Sequence, residues 1–243
     1  AQEEREIPKT SNAADLLERA KSAGRAENEN DKAADAGSSC AAARSNAMGT
    51  QPEICVDFSD VTFGYEEHPV LKDLSFAVRI GEHVTLQGRT GAGKSTIFKL
   101  LLGLYRPQSG SVRINGIPAD RISDQERRKI FGYVEQSFHM IPGTVCDQIT
   151  LGDARISAKQ AEEAARLTGL HEAISQLEQG YDTPCTSSLF SQGQWQLLSI
   201  ARAVAAQPQI LLLDEITANL DAETEQAVLK ALANVSEQRT VIS

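Results

Sequence analysis

The stretch Gly88-Arg89-Thr90-Gly91-Ala92-Gly93-Lys94-Ser95-Thr96 limits what this chain can fold into more than any other. It runs glycine, four residues, then Gly-Lys-Ser, the pattern of a loop that wraps phosphate. The alternating run His83 to Gln87 before it reads as a strand, and Ile97 to Leu102 after it reads as a helix. The alternative is an ordinary glycine-rich turn. At average glycine content the bare pattern arises by chance in about one chain of this length in a hundred, and the flanking strand and helix make it rarer.

Each residue type has a reason to be there. The glycines allow positive φ and close approach, so that successive amides of Gly88, Thr90, Gly91, Ala92, Gly93, Lys94, Ser95 and Thr96 can point at phosphate oxygens, with a helix N-terminus behind them. Lys94 would reach the β- and γ-phosphates of a nucleotide such as ATP, and the Ser95 hydroxyl would ligate Mg²⁺.

The chain has 243 residues, a net charge of −9 and a pI near 5.0. That length can bury a good core, and the acidity without a basic cluster argues against nucleic acid as a partner. No apolar run approaches the eighteen or so residues that span a bilayer, and no secretory signal opens the chain, so the chain as given is expected to be soluble. Cys40, Cys55, Cys146 and Cys185 have neither metal-site spacing nor the density of a disulfide scaffold, and read as reduced bystanders.

Residues 1–52 differ from the rest. From Ala23 to Gln51 there is too little apolar surface to offset ordering entropy, which predicts a flexible linker, with Ala13 to Ala20 as the end of a helix. Ser45-Asn46-Ala47 before Met48 resembles a vector-derived tripeptide, so the chain reads as cut from something longer. Residues 53–243 are expected to form the globular domain.

Within it, Ile54 to Phe58 and Val70 to Arg79 read as strands around Phe63-Gly64-Tyr65, followed by strands at Ser111 to Ile114 and Phe131 to Glu135. Ser157 to Leu177 carries helical spacing with a break at Thr168-Gly169, and Ser191 to Ala206 is a further helix closed by Pro208. Ile210-Leu211-Leu212-Leu213 is a continuous apolar run, as in a strand buried on both faces. Asp221 can cap the next helix, and Arg239 to Ile242 begins a last strand. Strands alternating with helices imply a parallel sheet with ligands at the strands' carboxyl ends. The strand from Ile210 ends in Asp214-Glu215, where Asp214 suits a metal and Glu215 an attacking water, although a pair of acids ending a strand can also be a mere solvated terminus.

Tyr65, the loop Gly88 to Thr96, Gln136, Ser191-Gln192-Gly193-Gln194, Ile210 to Glu215 and Ala218 to Asp221 occur in an order and spacing that resembles the ATP-binding cassette family. There they look like the adenine-stacking aromatic, Walker A, Q-loop, signature, Walker B and D-loop. The resemblance covers roughly Glu53 to Ser243. It implies an α/β fold: a P-loop NTPase core with a mostly parallel sheet, an antiparallel β subdomain and an inserted helical subdomain carrying the signature. It implies ATP and Mg²⁺, with Ser95, Gln136 and Asp214 on the metal and Glu215, Lys94 and Gln136 in the hydrolytic step.

It also implies a partner. Two such domains face head to tail, so that Ser191, Gly193 and Gln194, with Asp221, would serve nucleotide held by a second nucleotide-binding domain, while both drive a transmembrane domain from the cytoplasmic side of the membrane. Tyr65 and the charged linker look most like the exporter branch. An importer's ATPase subunit is the alternative, favoured if the native chain began near Met48.

The sequence departs from the family at several points. Gln192 stands where many members have Gly, Trp195 where the residue is often basic, and Gly180 to Phe190 lacks the Gly-Glu-Arg-Gly run common before the signature in exporters. The family's switch histidine is not in the chain, since His68, His83, His139 and His171 all precede Asp214. The fragment is therefore expected to bind nucleotide and to hydrolyse it poorly.

Overall fold

The computed structural model describes residues 53–66, 68–89, 91–135, 138–214, 216, 220–237 and 239–243. The expected linker (1–52), Thr90, Gln136, Glu215, Ala218 and Asn219 lie outside the described residues.

Strands β1 (Ile54–Tyr65) and β2 (His68–Arg79) form a long antiparallel hairpin whose register runs from Ile54 opposite Arg79 to Tyr65 opposite His68. The sequence reading stops the first strand at Phe58, whereas β1 continues through Phe63-Gly64-Tyr65. Register shifts beyond Phe58 and a left-handed Asp60 (φ 51) break the alternation on which the reading depends, as a bulge does. Gly64 sits where a Cβ would come 2.4 Å from the His68 carbonyl oxygen, so only glycine fits this narrow part of the hairpin. With β4 (Ser109–Ile114) and β5 (Ile117–Pro118) the hairpin completes an antiparallel sheet in the order β2-β1-β4-β5.

A second sheet is wholly parallel. Its strands β3 (His83–Val84), β6 (Phe131–Val134), β7 (Ile210–Leu213) and β8 (Thr240–Ile242) lie in the order β3-β8-β7-β6. The strand expected over His83 to Gln87 is reduced to two paired residues. Its hydrogen bonding still continues, with Ser243 N donating to Val84 O at 2.9 Å and Leu86 N to Ser243 O at 2.5 Å. The regular part is short because its one partner, β8, is itself only three residues long and pairs with it through Val241 and Ile242.

The helices are α1 (Lys94–Leu101), α2 (Asp124–Ile130), α3 (Val145–Thr150), α4 (Ala158–Leu167), α5 (His171–Ser175), α6 (Gln192–Val204) and α7 (Ala222–Ser236). The break between α4 and α5 falls where Gly169 takes φ 77, as the Thr168-Gly169 pair predicts. Two helices escape the periodicity reading. Among the residues of α2 none is buried, and α3 has six residues, too few for a 3.6-residue period to show. Both carry a local signal instead, a capping box of Ser123 with Glu126 and of Thr144 with Asp147.

Two cores flank the parallel sheet. Phe131, Ile210, Leu212 and Ile242 join Phe58, Leu71, Phe98 and Leu101 between the two sheets and α1. Val134, Leu211, Leu213 and Val241 join Ile149, Ala165, Leu198 and Val228 under the helices. Strand β7 is thus buried on both faces, as its unbroken apolar run predicts.

The approach of α6 to the sheet is set by Gly132, where a Cβ would stand 2.5 Å from the Ala203 carbonyl oxygen and 2.8 Å from the Pro208 ring. Gly132→Ala is therefore expected to lower stability by about 1–3 kcal/mol. A urea denaturation midpoint equal to that of the parent would contradict this packing.

Candidate nucleotide site

The glycine-rich loop connects β3 to α1 at the carboxyl edge of the parallel sheet. Gly91 (φ 85) and Gly93 (φ 99) are left-handed, and Gly93 is the N-cap of α1 without any side-chain cap. A glycine at this position brings no side-chain oxygen to the helix start, as at helix starts that take phosphate. Gly93 also lies against β2, since a Cβ there would meet Leu71 Cδ2 at 2.9 Å. Ala92 N donates to Arg89 O at 3.0 Å, and Lys94 Nζ reaches back to Gly88 O at 3.3 Å, so the loop folds over its own lysine. Ser95 is exposed and Thr96 buried.

Asp214 follows β7 at the same edge. Its amide donates to Val134 O at 3.1 Å, and Tyr133 Oη donates to its Oδ2 at 3.1 Å. Tyr133 leans edge-on to Phe98 of α1, with ring centroids 6.2 Å apart. Burial, then the Asp214 charge, pushes the Tyr133 phenol well above its ordinary range, so it stays a proton donor to Asp214. Sequence reading missed Tyr133. Its only signal is a phenol among the apolar residues of a strand ending beside the loop.

Tyr65, expected to stack on adenine, sits near the start of α1. Its ring is edge-on to Phe63 (5.1 Å) and to Tyr105 (5.5 Å), Lys99 Nζ lies 5.7 Å from its centroid, and its hydroxyl is 3.4 Å from Thr96 Oγ1. The aromatic is therefore part of a trio with Phe63 and the half-exposed Tyr105, which sequence reading did not single out.

Ser191 caps α6. Its Oγ accepts from Gln194 N at 3.3 Å, and Gln194 Oε1 accepts from Ser191 N at 2.9 Å. Gly193 packs on α7, where a Cβ would lie 2.7 Å from Thr224 Cγ2. Asp221 caps α7 by accepting from Thr224 N at 3.0 Å and from Thr224 Oγ1 at 2.7 Å, and these bonds hold its carboxyl below the usual range. The structure thus joins Gly193 and Asp221 through Thr224. It also brings the Gly88 loop, Ser95 and Asp214 to one sheet edge.

Trp195, which departs from the often basic residue of the family, is partly buried. It lies 4.9 Å from Phe138 and, edge-on, 5.2 Å from Phe190. Cys55 is buried, Cys146 and Cys185 are partly so, and burial raises all three thiols; no disulfide joins the described cysteines.

A phosphate-type loop and a strand-end aspartate on a parallel sheet, beside an antiparallel sheet and a helical layer, define a nucleotide-binding P-loop domain. The chain matches the family described as ABC transporter over residues 71–218, and it belongs to that family as an ATP-binding domain of exporter-like type. It is 40% identical over 190 residues to an uncharacterised ABC transporter ATP-binding protein of Bacillus subtilis, covering 77% of this chain and 32% of that protein. It is 41% identical over 188 residues to a probable multidrug resistance ABC transporter ATP-binding/permease protein of the same organism, covering 76% and 28%. Among solved structures, a bacterial Atm1-family ABC exporter with ATP bound aligns with TM-score 0.69 and 35% identity, over 78% of this chain and 34% of that one. The chain spans about a third of the length of the first of these relatives. No helix among the described residues is long and apolar enough to cross a membrane.

Proposed function

We propose that this domain binds Mg²⁺-ATP on the Gly88 to Thr96 loop and hydrolyses it to power a transmembrane domain, on the cytoplasmic side of a membrane, in an exporter. The observation that carries the reading is the shared sheet edge: the uncapped start of α1 and the Asp214 carboxylate emerge from strands β3 and β7, with β8 between them. The loop amides and Lys94 hold the β- and γ-phosphates. Ser95, Asp214 and, by its place in the sequence, Gln136 offer hard oxygen donors of the kind Mg²⁺ takes. Mg²⁺ would neutralise charge developing on the transferred phosphoryl group. Glu215 orients or deprotonates the attacking water.

Ser191, Gly193 and Gln194 present the start of α6 to nucleotide bound by a second copy of the domain, head to tail. The exporter reading is supported by relatives whose own names couple ATP-binding and permease functions, and by the exporter title of the aligned structure.

The Tyr65 trio supplies the test of how the base is held. Tyr65→Ala is expected to weaken ATP binding by about 1–3 kcal/mol, a scale borrowed from base stacking on aromatic residues. Tyr65→Phe should bind nearly as well as the parent, because it keeps the ring and loses only the contact with Thr96. ATP and GTP should be poorly discriminated. Calorimetric titration in which the alanine variant matches the parent removes the stacking role and leaves Tyr65 as packing for Phe63 and Tyr105.

A further inference from the structure

The start of α6 is tied to the chain that follows Gln136 by a continuous stack of rings. Phe190, immediately before the cap residue Ser191, is buried and meets Trp195 edge-on; Trp195 in turn lies over Phe138, with centroids 4.9 Å apart and ring planes 34° apart. Phe138 also meets the Arg202 guanidinium, whose carbon stands 4.0 Å from the ring centroid. Arg202 is fixed in place: it donates to the carbonyl oxygens of Gln148 (2.6 Å) and His139 (2.8 Å) and to Gln148 Oε1 (3.3 Å). The fully buried Gln148 side chain closes the loop by accepting from Ile141 N at 2.9 Å and donating to Ile141 O at 2.7 Å. Residues 138–148 and both ends of α6 therefore share one set of contacts, and within α6 Trp195 is the ring that ties this set to Ser191, whose carbonyl oxygen accepts from Trp195 N at 2.9 Å.

Such a stack has few ways to move. Rings packed between neighbours transmit a displacement rather than absorb it, because the interior around them is close-packed. A shift of the chain at Phe138, close in sequence to Gln136, must carry Trp195 and with it the first turn of α6.

We propose that Trp195 is a positioning residue for ATP turnover: clamped between Phe138 and Phe190, it sets the orientation of Ser191, Gly193 and Gln194 by the state of the segment after Gln136. The inference rests on the nucleotide-site reading above and adds to it a link that runs within one domain. The ring partners of Trp195 are Phe138 and Phe190, so its removal acts on the step that needs α6 rather than on ATP capture by the domain's own loop.

The test uses the 243-residue chain and three readouts. Trp195→Ala is expected to lower kcat by about 10- to 100-fold while KM for ATP moves by no more than about twofold, the split of a group that acts on the transition state through geometry. Trp195→Phe keeps a ring in the stack and should recover most of the loss. Because Trp195 is the chain's single tryptophan, its emission should also shift when Mg²⁺-ATP is added, and not in Lys94→Ala. An alanine variant with parental kcat, a phenylalanine variant as impaired as the alanine one, or emission indifferent to ATP in a protein that hydrolyses it, each overturns the clamp alone. Should Trp195→Ala not fold, the emission of the parent decides. A parent that neither binds nor hydrolyses ATP overturns the nucleotide-site reading, and this inference with it.

Discussion

Replacing Glu215 by glutamine is expected to reduce ATP hydrolysis by about 10²–10⁴-fold, the contribution of a positioned general base, while ATP binding persists. The substitution keeps size and hydrogen-bonding capacity and removes basicity, so bound ATP should outlast its normal lifetime. In a head-to-tail pair that persistence favours the closed arrangement, and light scattering should show dimers that depend on Mg²⁺-ATP. Parental turnover by Glu215→Gln, measured as phosphate release, would mean that the attacking water is handled by another group. Glu215 follows Asp214 in the sequence, and Asp214 leaves β7 at the carboxyl edge shared with the phosphate loop.

Lys94→Ala should have the larger effect on binding. The lysine reaches across its own loop to Gly88 O at 3.3 Å, so its charge lies over the glycine-rich turn. Charge-assisted hydrogen bonds to phosphate are roughly twice as strong as neutral ones, and removing the donor leaves the β- and γ-phosphates with backbone amides alone. ATP affinity is expected to fall by about 10-fold or more, equivalent to at least ~1.4 kcal/mol, with the fold intact by circular dichroism. Unchanged affinity in a titration would sink the assignment of Gly88 to Thr96 as the phosphate loop.

The features legible in the sequence are those whose physics is local. Gly91 and Gly93 announce left-handed backbone, Asp221 announces a helix start, and the run Ile210 to Leu213 announces a strand with no wet face; each occurs in the structure as read. The antiparallel sheet was expected only through the family resemblance, because the bulge near Asp60 disguises the hairpin's alternation. What stayed hidden depends on partners distant in the chain. Tyr133 holding Asp214 involves residues 81 positions apart, and Arg202 against Gln148 spans 54. Trp195 reads in the sequence only as a departure from an often basic position, since nothing in its neighbours reveals that Phe138 will come to lie on its ring.

The burial of β7 on both faces has a mechanical meaning. Alternate side chains of one strand belong to different cores: Ile210 and Leu212 to the layer that holds α1, Leu211 and Leu213 to the layer that holds α6. The strand is a party wall. Neither half of the molecule can shift it without disturbing the other's packing, so the aspartate that leaves its end is anchored to the one line on which both halves must agree.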